Sequence, residues 1–301
     1  MMKKMKKRLS ALLALLLSCV FLFAFAEEEK SVVFTFFQME GFESQEIGDS
    51  CLIQFPDGET MLVDTLEPVC EDALVRTLKQ MGVQKLDALL LTHMHIDHIG
   101  GAAKILYTFP VDALYGPGEP YYSKTYKGYA LAQALKGVRE QTLKRGDTVK
   151  FGDVTLQILN PEITPEIHEK FASDTITVAE SNQYSIVFRL EYGDFSALFT
   201  GDIYQVTEKN LVKLYGDALK SDLLKIPHHA NDTSSGSAFL KAVQPKAAVA
   251  MGNTVPASWL YNRYIKLGIT PYTTLWNGTI TVSAYPDGHM DIAAQQTGVK
   301  P

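Results

Sequence analysis

The sequence predicts an α/β (α+β) fold in which two sheets pack together and helices cover them. Three observations predict it. Strand-like and helix-like runs alternate in two similar halves. Ala88–Leu91 is apolar throughout, and Leu223–Ile226 and Ala247–Met251 also read as short buried strands. A length of 301 residues with 46% hydrophobic and 21% charged side chains supplies ample core for one large domain. The same composition excludes a disordered chain, and three cysteines exclude a disulfide-dense scaffold.

The elements follow in order. Val32–Phe37, Cys51–Phe55 and Met61–Asp64 are strand-like, with Pro56-Asp57-Gly58 turning the last two into a hairpin. Val69 to Met81 reads as a helix ending near Gly82. The buried strand Ala88–Leu91 precedes a helix over Gly100–Tyr107, a strand over Val111–Tyr115 and a helix over Lys124–Leu135. Val149–Leu159 is a hairpin around Phe151-Gly152-Asp153, and the polar stretch Pro161–Ser181 reads as a long loop. Tyr184–Leu190 and Ala197–Thr200 are strands split at Gly193. After the buried strands come a helix over Pro256–Leu267 and a strand pair from Thr273 to Ile292 turning at Trp276-Asn277-Gly278.

The first 26 residues read as processing rather than fold. Lys3, Lys4, Lys6, Lys7 and Arg8 precede an apolar run from Ala11 to Phe25, which closes on Ala24-Phe25-Ala26. This is the three-part layout of a secretory signal cleaved after Ala26, leaving residues 27–301 as the mature domain in an extracellular setting. An uncleaved anchor is the weaker reading, because a spanning helix needs about 20 apolar residues. Lipidation at Cys19 is also weaker, since Val20 to Phe25 would then remain on the mature chain. The whole chain carries a net charge of −6; without residues 1–26, which hold five basic and no acidic side chains, 23 basic face 34 acidic, a net of −11. An acidic chain without a basic run argues against a stable complex with long nucleic acid. No protein partner and no membrane span beyond the leader is implied. Export would permit a disulfide between Cys51 and Cys70; two buried free thiols are the alternative.

The chemistry concentrates in Thr92-His93-Met94-His95-Ile96-Asp97-His98-Ile99-Gly100-Gly101, directly after a buried strand. Imidazole and carboxylate are ligands of zinc and other first-row metals. His93 and His95 alternate, so on an extended chain they point the same way. Asp97 and His98 fall at the turn into a helix and can face a second ion, and Gly100 and Gly101 let the helix start pass close to the metals. Of seven histidines, five fall in two clusters, the second being His228-His229.

H-x-H-x-D-H after a buried strand resembles the metallo-β-lactamase superfamily. Met61-Leu62-Val63-Asp64-Thr65, Leu198-Phe199-Thr200-Gly201-Asp202 and Lys225-Ile226-Pro227-His228-His229 with Thr233-Ser234-Ser235 resemble its other motifs, so the likeness spans nearly all of residues 27–301. In detail the order is most similar to the metallo-hydrolase domain of DNA-internalisation competence proteins, and it also resembles secreted phosphorylcholine esterases. The resemblance implies a four-layer αββα sandwich with two divalent metals at one edge, zinc or else manganese. It further implies that His93 and His95 hold one metal, that Asp97 and His98 hold the second, that Asp202 bridges both through its two oxygens, and that His229 completes the second site while His228 reaches the substrate. The sequence leaves His228 and His229 interchangeable. Asp64 would orient a ligand histidine from behind.

Departures from the superfamily pattern are informative. Where most members supply a further histidine to the first metal, this chain has Glu180-Ser181-Asn182-Gln183-Tyr184-Ser185; the competence branch tends to carry asparagine there, so Asn182 is a weak-ligand or substrate-contact candidate. His168 upstream is a substitute ligand, or else a solvated loop histidine. Ala230 replaces a common glycine, and Thr254-Val255 stands where the competence branch has a histidine. Ser185 and Ser234-Ser235 read as helix caps before substrate contacts. Tyr121, Tyr122, Tyr126 and Trp259 are packing residues or stacking surfaces for a base or a quaternary amine.

The expected activity is therefore that of a secreted dinuclear-metal hydrolase attacking a phosphodiester, of nucleic acid or of the cell envelope, with a metal-bridging hydroxide. Asp97 and His228 are its candidate catalytic side chains. Hydrolysis of acyl substrates such as β-lactams, or non-catalytic binding on the same fold, are the alternatives.

Overall fold

A computed structural model describes residues 30–42 and 46–296; the leader and its cleavage site lie outside the described residues. Side-chain alternation builds the first sheet. In β1 (Val32–Phe36), Val32, Phe34 and Phe36 point to one core, and β2 (Cys51–Gln54) and β3 (Thr60–Val63) form the hairpin that Pro56-Asp57-Gly58 predicts. β4 (Leu86–Leu90), β5 (Val111–Gly116) and β6 (Glu140–Thr142) then add in parallel. Within β4, Ala88 and Leu90 face the second sheet while Leu86 and Leu89 face helices, which explains the unbroken apolar run. The first sheet closes with β14 (Ile280–Ala284) and β15 (Met290–Ala294), giving the order β15-β14-β1-β2-β3-β4-β5-β6.

The second sheet comprises β7 (Thr148–Phe151), β8 (Val154–Asn160), β9 (Val187–Tyr192), β10 (Phe195–Phe199), β11 (Leu223–Lys225), β12 (Ala247–Ala250) and β13 (Thr270–Thr273). Its order is β13-β12-β11-β10-β9-β8-β7. Helices α1 (Glu71–Gln80), α2 (Ile96–Ile99), α3 (Ala102–Thr108) and α4 (Lys124–Lys136) belong to the first sheet's side, and α1, α3 and α4 bury apolar faces against it. The outer face of the second sheet is covered by α7 (Gln205–Tyr215), α8 (Ser237–Val243) and α9 (Ser258–Lys266). The four layers are those of the predicted αββα sandwich. A ladder of phenylalanines locks the two sheets: the Phe199 ring lies 4.8 Å from Phe188 and 5.9 Å from both Phe34 and Phe36. Such rings supply much of the apolar area that holds the layers together.

Two expectations are corrected, and one open alternative is decided. Pro161–Ser181 is not a long loop: it holds α5 (Pro165–Ala172) and α6 (Val178–Asn182). Both begin on a capping threonine, and Thr177 with Glu180 forms a reciprocal capping box that the polar composition masks. The C-terminal strand pair does not turn at Trp276-Asn277-Gly278. Thr273 ends β13 in the second sheet, Thr274–Asn277 is a helical turn (α10), and the hairpin turns at Pro286-Asp287-Gly288 in the first sheet. Cys51 and Cys70 are free, buried thiols; one lies between the sheets and the other in the helix layer behind the first. No helix among the described residues is long and apolar enough to cross a membrane.

Candidate metal centre

The predicted site residues converge where strands end, at one edge of the sandwich, the place where open α/β sheets usually bind ligands. β3 delivers Asp64, β4 delivers Thr92 and the histidine run, β10 delivers Asp202, and β11 delivers His228 and His229. His95 caps α2, which carries Asp97 and His98. The His228-His229-Ala230 turn is left-handed at three successive residues, with φ of 48°, 51° and 62°, so the position that often holds glycine is an alanine in a glycine-like conformation.

Asp97, His98, Asp202 and His229 place one donor atom each within 4.8 Å of one another. His98 Nε2 lies 3.2 Å from Asp202 Oδ2 and 3.7 Å from Asp97 Oδ2, and His229 Nε2 lies 3.1 Å from each of those two oxygens. Beside this group, His93 Nε2 faces His95 Nδ1 at 3.1 Å, and the His93 ring packs 4.1 Å from that of His98. His229 therefore joins the cluster. His228 stands at its rim, with Nδ1 2.5 Å from Thr233 Oγ1 and its ring 4.8 Å from Tyr204. Asp64 stands behind His98: Oδ2 is 2.8 Å from His98 Nδ1 and accepts the Thr92 hydroxyl at 2.7 Å, while Oδ1 accepts the Thr92 amide at 2.7 Å. A second group, Asp49, Asp64 and His98, is also close enough to hold a cation, although Lys225 already sits on Asp49.

The donor set fits metal ions on electrostatic grounds. Asp49, Asp64 and Asp202 are buried and Asp97 is largely so, against Lys225 as the one buried ammonium among them. Three negative charges are left to balance in a region where unpaired charge is costly. Burial pushes His98 and His229 down, but the carboxylates, Asp202 foremost, overcome it and raise both well above the usual imidazole range. Burial likewise raises Asp97 and Asp202, and the neighbouring histidines reverse it and hold both far below it. The cluster thus demands positive charge, which divalent ions supply without protons. Burial pushes His93 well down and His95 to about 4, which keeps both as neutral ligands. The buried Nε2 of His98, which faces Asp97 and Asp202, has no hydrogen-bond partner, as a metal-facing atom would not.

Other expectations move. Asn182 is buried on α6, its Nδ2 donating to the Tyr204 hydroxyl at 3.1 Å and its Oδ1 unpartnered. His168 is on α5 rather than a loop and pairs with Glu119 at 3.0 Å, outside both donor groups. Gly100 and Gly101 approach backbone, not metals: a Cβ on Gly100 would stand 2.3 Å from the Leu66 carbonyl oxygen, and one on Gly101 would stand 2.7 Å from that of Thr65. The serines cap no helix. Ser185 Oγ accepts the Asp202 amide, Ser234 ties to Pro227 and Ser235 to Tyr264. Tyr121 edges onto His95 at 5.0 Å, Tyr126 packs in the helix layer, Tyr122 donates to the Ala172 carbonyl, and Trp259 lies on α9 under Arg263. Sequence reasoning missed three residues. Asp49 and Lys225 are fully buried at the cluster, and a lysine within the apolar run Leu223–Ile226 was the available signal; Tyr204 offered none.

The profile of the Metallo-beta-lactamase superfamily matches residues 45–252. The chain is 33% identical over 183 residues to ComE operon protein 3 of Bacillus subtilis and 30% identical over 180 residues to competence protein ComA of Neisseria gonorrhoeae. Each alignment covers 60% of this chain but only 21% and 22% of those proteins, so the chain matches about a fifth of their length. Among solved structures, the metallo-beta-lactamase fold protein YhfI of Bacillus subtilis superposes with a TM-score of 0.53 at 16% identity, over 87% of this chain and 100% of that one, a likeness of fold.

Proposed function

The chain belongs to the metallo-β-lactamase superfamily as a metal-dependent hydrolase with a buried His/Asp centre, and from that premise we propose that it cleaves phosphodiesters. The observation that carries this reading is a pair of hydrogen-bond donors on the rim of the cluster. Asn182 donates to the Tyr204 oxygen, which leaves the phenolic proton free to donate outward. Thr233 sits on His228 Nδ1, so when its hydroxyl donates there the His228 proton is on Nε2. The Tyr204 and His228 rings lie 4.8 Å apart, side by side, which suits the two non-bridging oxygens of a phosphodiester.

In a two-ion arrangement His93 and His95 would hold one ion, Asp97, His98 and His229 would hold the other, and Asp202 would be shared between them. Zinc is the metal expected of so much imidazole, with manganese the alternative. Bound there, two divalent ions supply a water of lowered pKa and positive charge for the reacting oxygens. Asp97, both ligand and partly exposed, is placed to accept a proton from attacking water. Asp64 fixes the His98 tautomer, and His228 and Tyr204 steady the charge that develops on the substrate. Residues 1–26 act as an export signal in this reading, and N-terminal sequencing of secreted protein would find Glu27 first.

The test is hydrolysis of bis(p-nitrophenyl) phosphate by residues 27–301 loaded with zinc or manganese, with Asp97→Ala as control. Metal-dependent turnover lost in the control is expected, followed by a comparison of single-stranded DNA with choline phosphodiesters. No turnover by protein carrying both ions refutes the phosphodiester reading and moves acyl substrates such as β-lactams to the front.

A further inference from the structure

We propose that Asp49 and Lys225 form a buried positioning pair for the metal centre: Lys225 holds Asp49 and compensates its charge, and Asp49 sets the face that His229 presents. The inference rests on the metal-centre reading of the same cluster. It does not depend on the substrate.

Lys225 is 2% exposed, on a strand otherwise made of leucines. Its ammonium has three protons, and three acceptors surround it: the Gly201 carbonyl at 3.0 Å, Asp49 Oδ2 in close contact, and Asp202 Oδ1 at 3.5 Å. The carbonyl accepts a hydrogen bond and the two carboxylates compensate the charge, as burial of such a group requires. Asp202 Oδ2 faces His98 and His229, and Oδ1 lies on the lysine side without a hydrogen bond.

Asp49 works on the opposite side. Its Oδ1 lies 3.0 Å from His229 Nδ1, which also lies 3.2 Å from the Met251 carbonyl. Both neighbours are acceptors, so the proton belongs on Nδ1 and the Nε2 lone pair faces the cluster. Asp49 is itself pinned to the metal-binding turn, because its amide donates to the Asp97 carbonyl at 3.0 Å and the Leu66 amide donates to its carbonyl at 2.9 Å. Gly48 makes that approach feasible: with φ +72° and no Cβ, it avoids a clash that would bring a side chain to 1.8 Å from the Asp97 carbonyl oxygen. The pair therefore connects the turn of the first sheet that carries Asp97 with the strand of the second sheet that leads to His229.

The test variant is the double substitution Asp49→Asn with Lys225→Met, which removes both charges at nearly constant volume. Metal-free melting close to wild type is expected, with affinity for Co2+ reduced by about 10–100-fold and a changed visible spectrum. Wild-type affinity and an unchanged spectrum in the double variant would overturn the proposal, leaving the pair as packing alone. The zinc-loaded wild type gives an independent reading that decides the matter even if the variant does not fold. The His229 Nδ1 proton should be protected from exchange; exchange at the rate of free imidazole overturns the proposal. A wild type that binds two ions but hydrolyses no phosphodiester refutes the substrate reading and not this one.

Discussion

Replacing Asp64 by asparagine should separate metal binding from folding. The amide keeps the oxygen that accepts the Thr92 N–H, and asparagine tolerates the φ of 58° at this position. Its NH2, however, replaces the oxygen 2.8 Å from His98 Nδ1. Two donors cannot face each other, so His98 must place its proton on Nε2, the atom that faces Asp202 and Asp97. Loss of such an outer partner weakens metal affinity about 10–100-fold. At about 1.4 kcal/mol per decade, the stabilisation conferred by saturating zinc falls by roughly 1.4–2.8 kcal/mol. At roughly 2–4 °C per kcal/mol, the rise in Tm on adding zinc shrinks by about 3–11 °C. Metal-free protein should change little, because burial already raises the Asp64 carboxyl and the lost charge-assisted hydrogen bond is offset by relief of a buried negative charge. Thermal melts with and without zinc, with calorimetric titration of the metal, read both quantities. An undiminished zinc-induced rise in the variant would refute the tautomer argument.

Three further outcomes are expected. Burial lifts the Glu208 carboxyl to about 7 against the pull of the Gly236 and Ser235 amides, so its favourable contribution is complete below pH 4.5 and is lost as pH rises to about 7. Urea unfolding should show wild type losing about 3 kcal/mol relative to Glu208→Gln across that window; parallel curves would discount it. Tyr204→Phe removes the outward donor beside Asn182 and should lower kcat/KM on bis(p-nitrophenyl) phosphate about tenfold without changing zinc stoichiometry; a loss of zinc instead would place Tyr204 among structural residues. Phe199→Ala should cost about 3–5 kcal/mol in denaturant unfolding, since the ring touches both sheets; a cost below 1 kcal/mol would mean that the ladder repacks.

The site was largely legible because metal ligands must be particular residue types, and His93, His95, Asp97 and His98 fall within one six-residue stretch just after a buried strand. Asp202 and His229 are distant in sequence and became readable only through a family likeness. Asp49 was invisible because a lone aspartate after a glycine resembles any turn, and its role depends on contacts with Lys225 and His229 that no local pattern encodes. In the fold, alternation fixed the hairpins and the apolar run of β4. Polarity misled at α5 and α6, which are short, lie in a polar stretch and start on capping threonines. The C-terminal hairpin was displaced because Trp276-Asn277-Gly278 has turn chemistry, yet it closes a short helix between two different sheets.

The placement of that hairpin has a consequence for how the chain is made. β1 lies between β2 and β14, and Val32 pairs with Ala284. On a ribosome the second sheet can assemble while the first is still missing two of its strands, and the hydrophobic edge of β1 stays open until the last hairpin emerges. Closing it requires a contact across almost the whole sequence, so completion of the first sheet should be the slow step of folding. A chain cut short before Ile280 would leave β1 with an unpaired edge able to recruit strands from other molecules. Premature termination should therefore yield aggregates, although every ligand of the metal centre has already been synthesised.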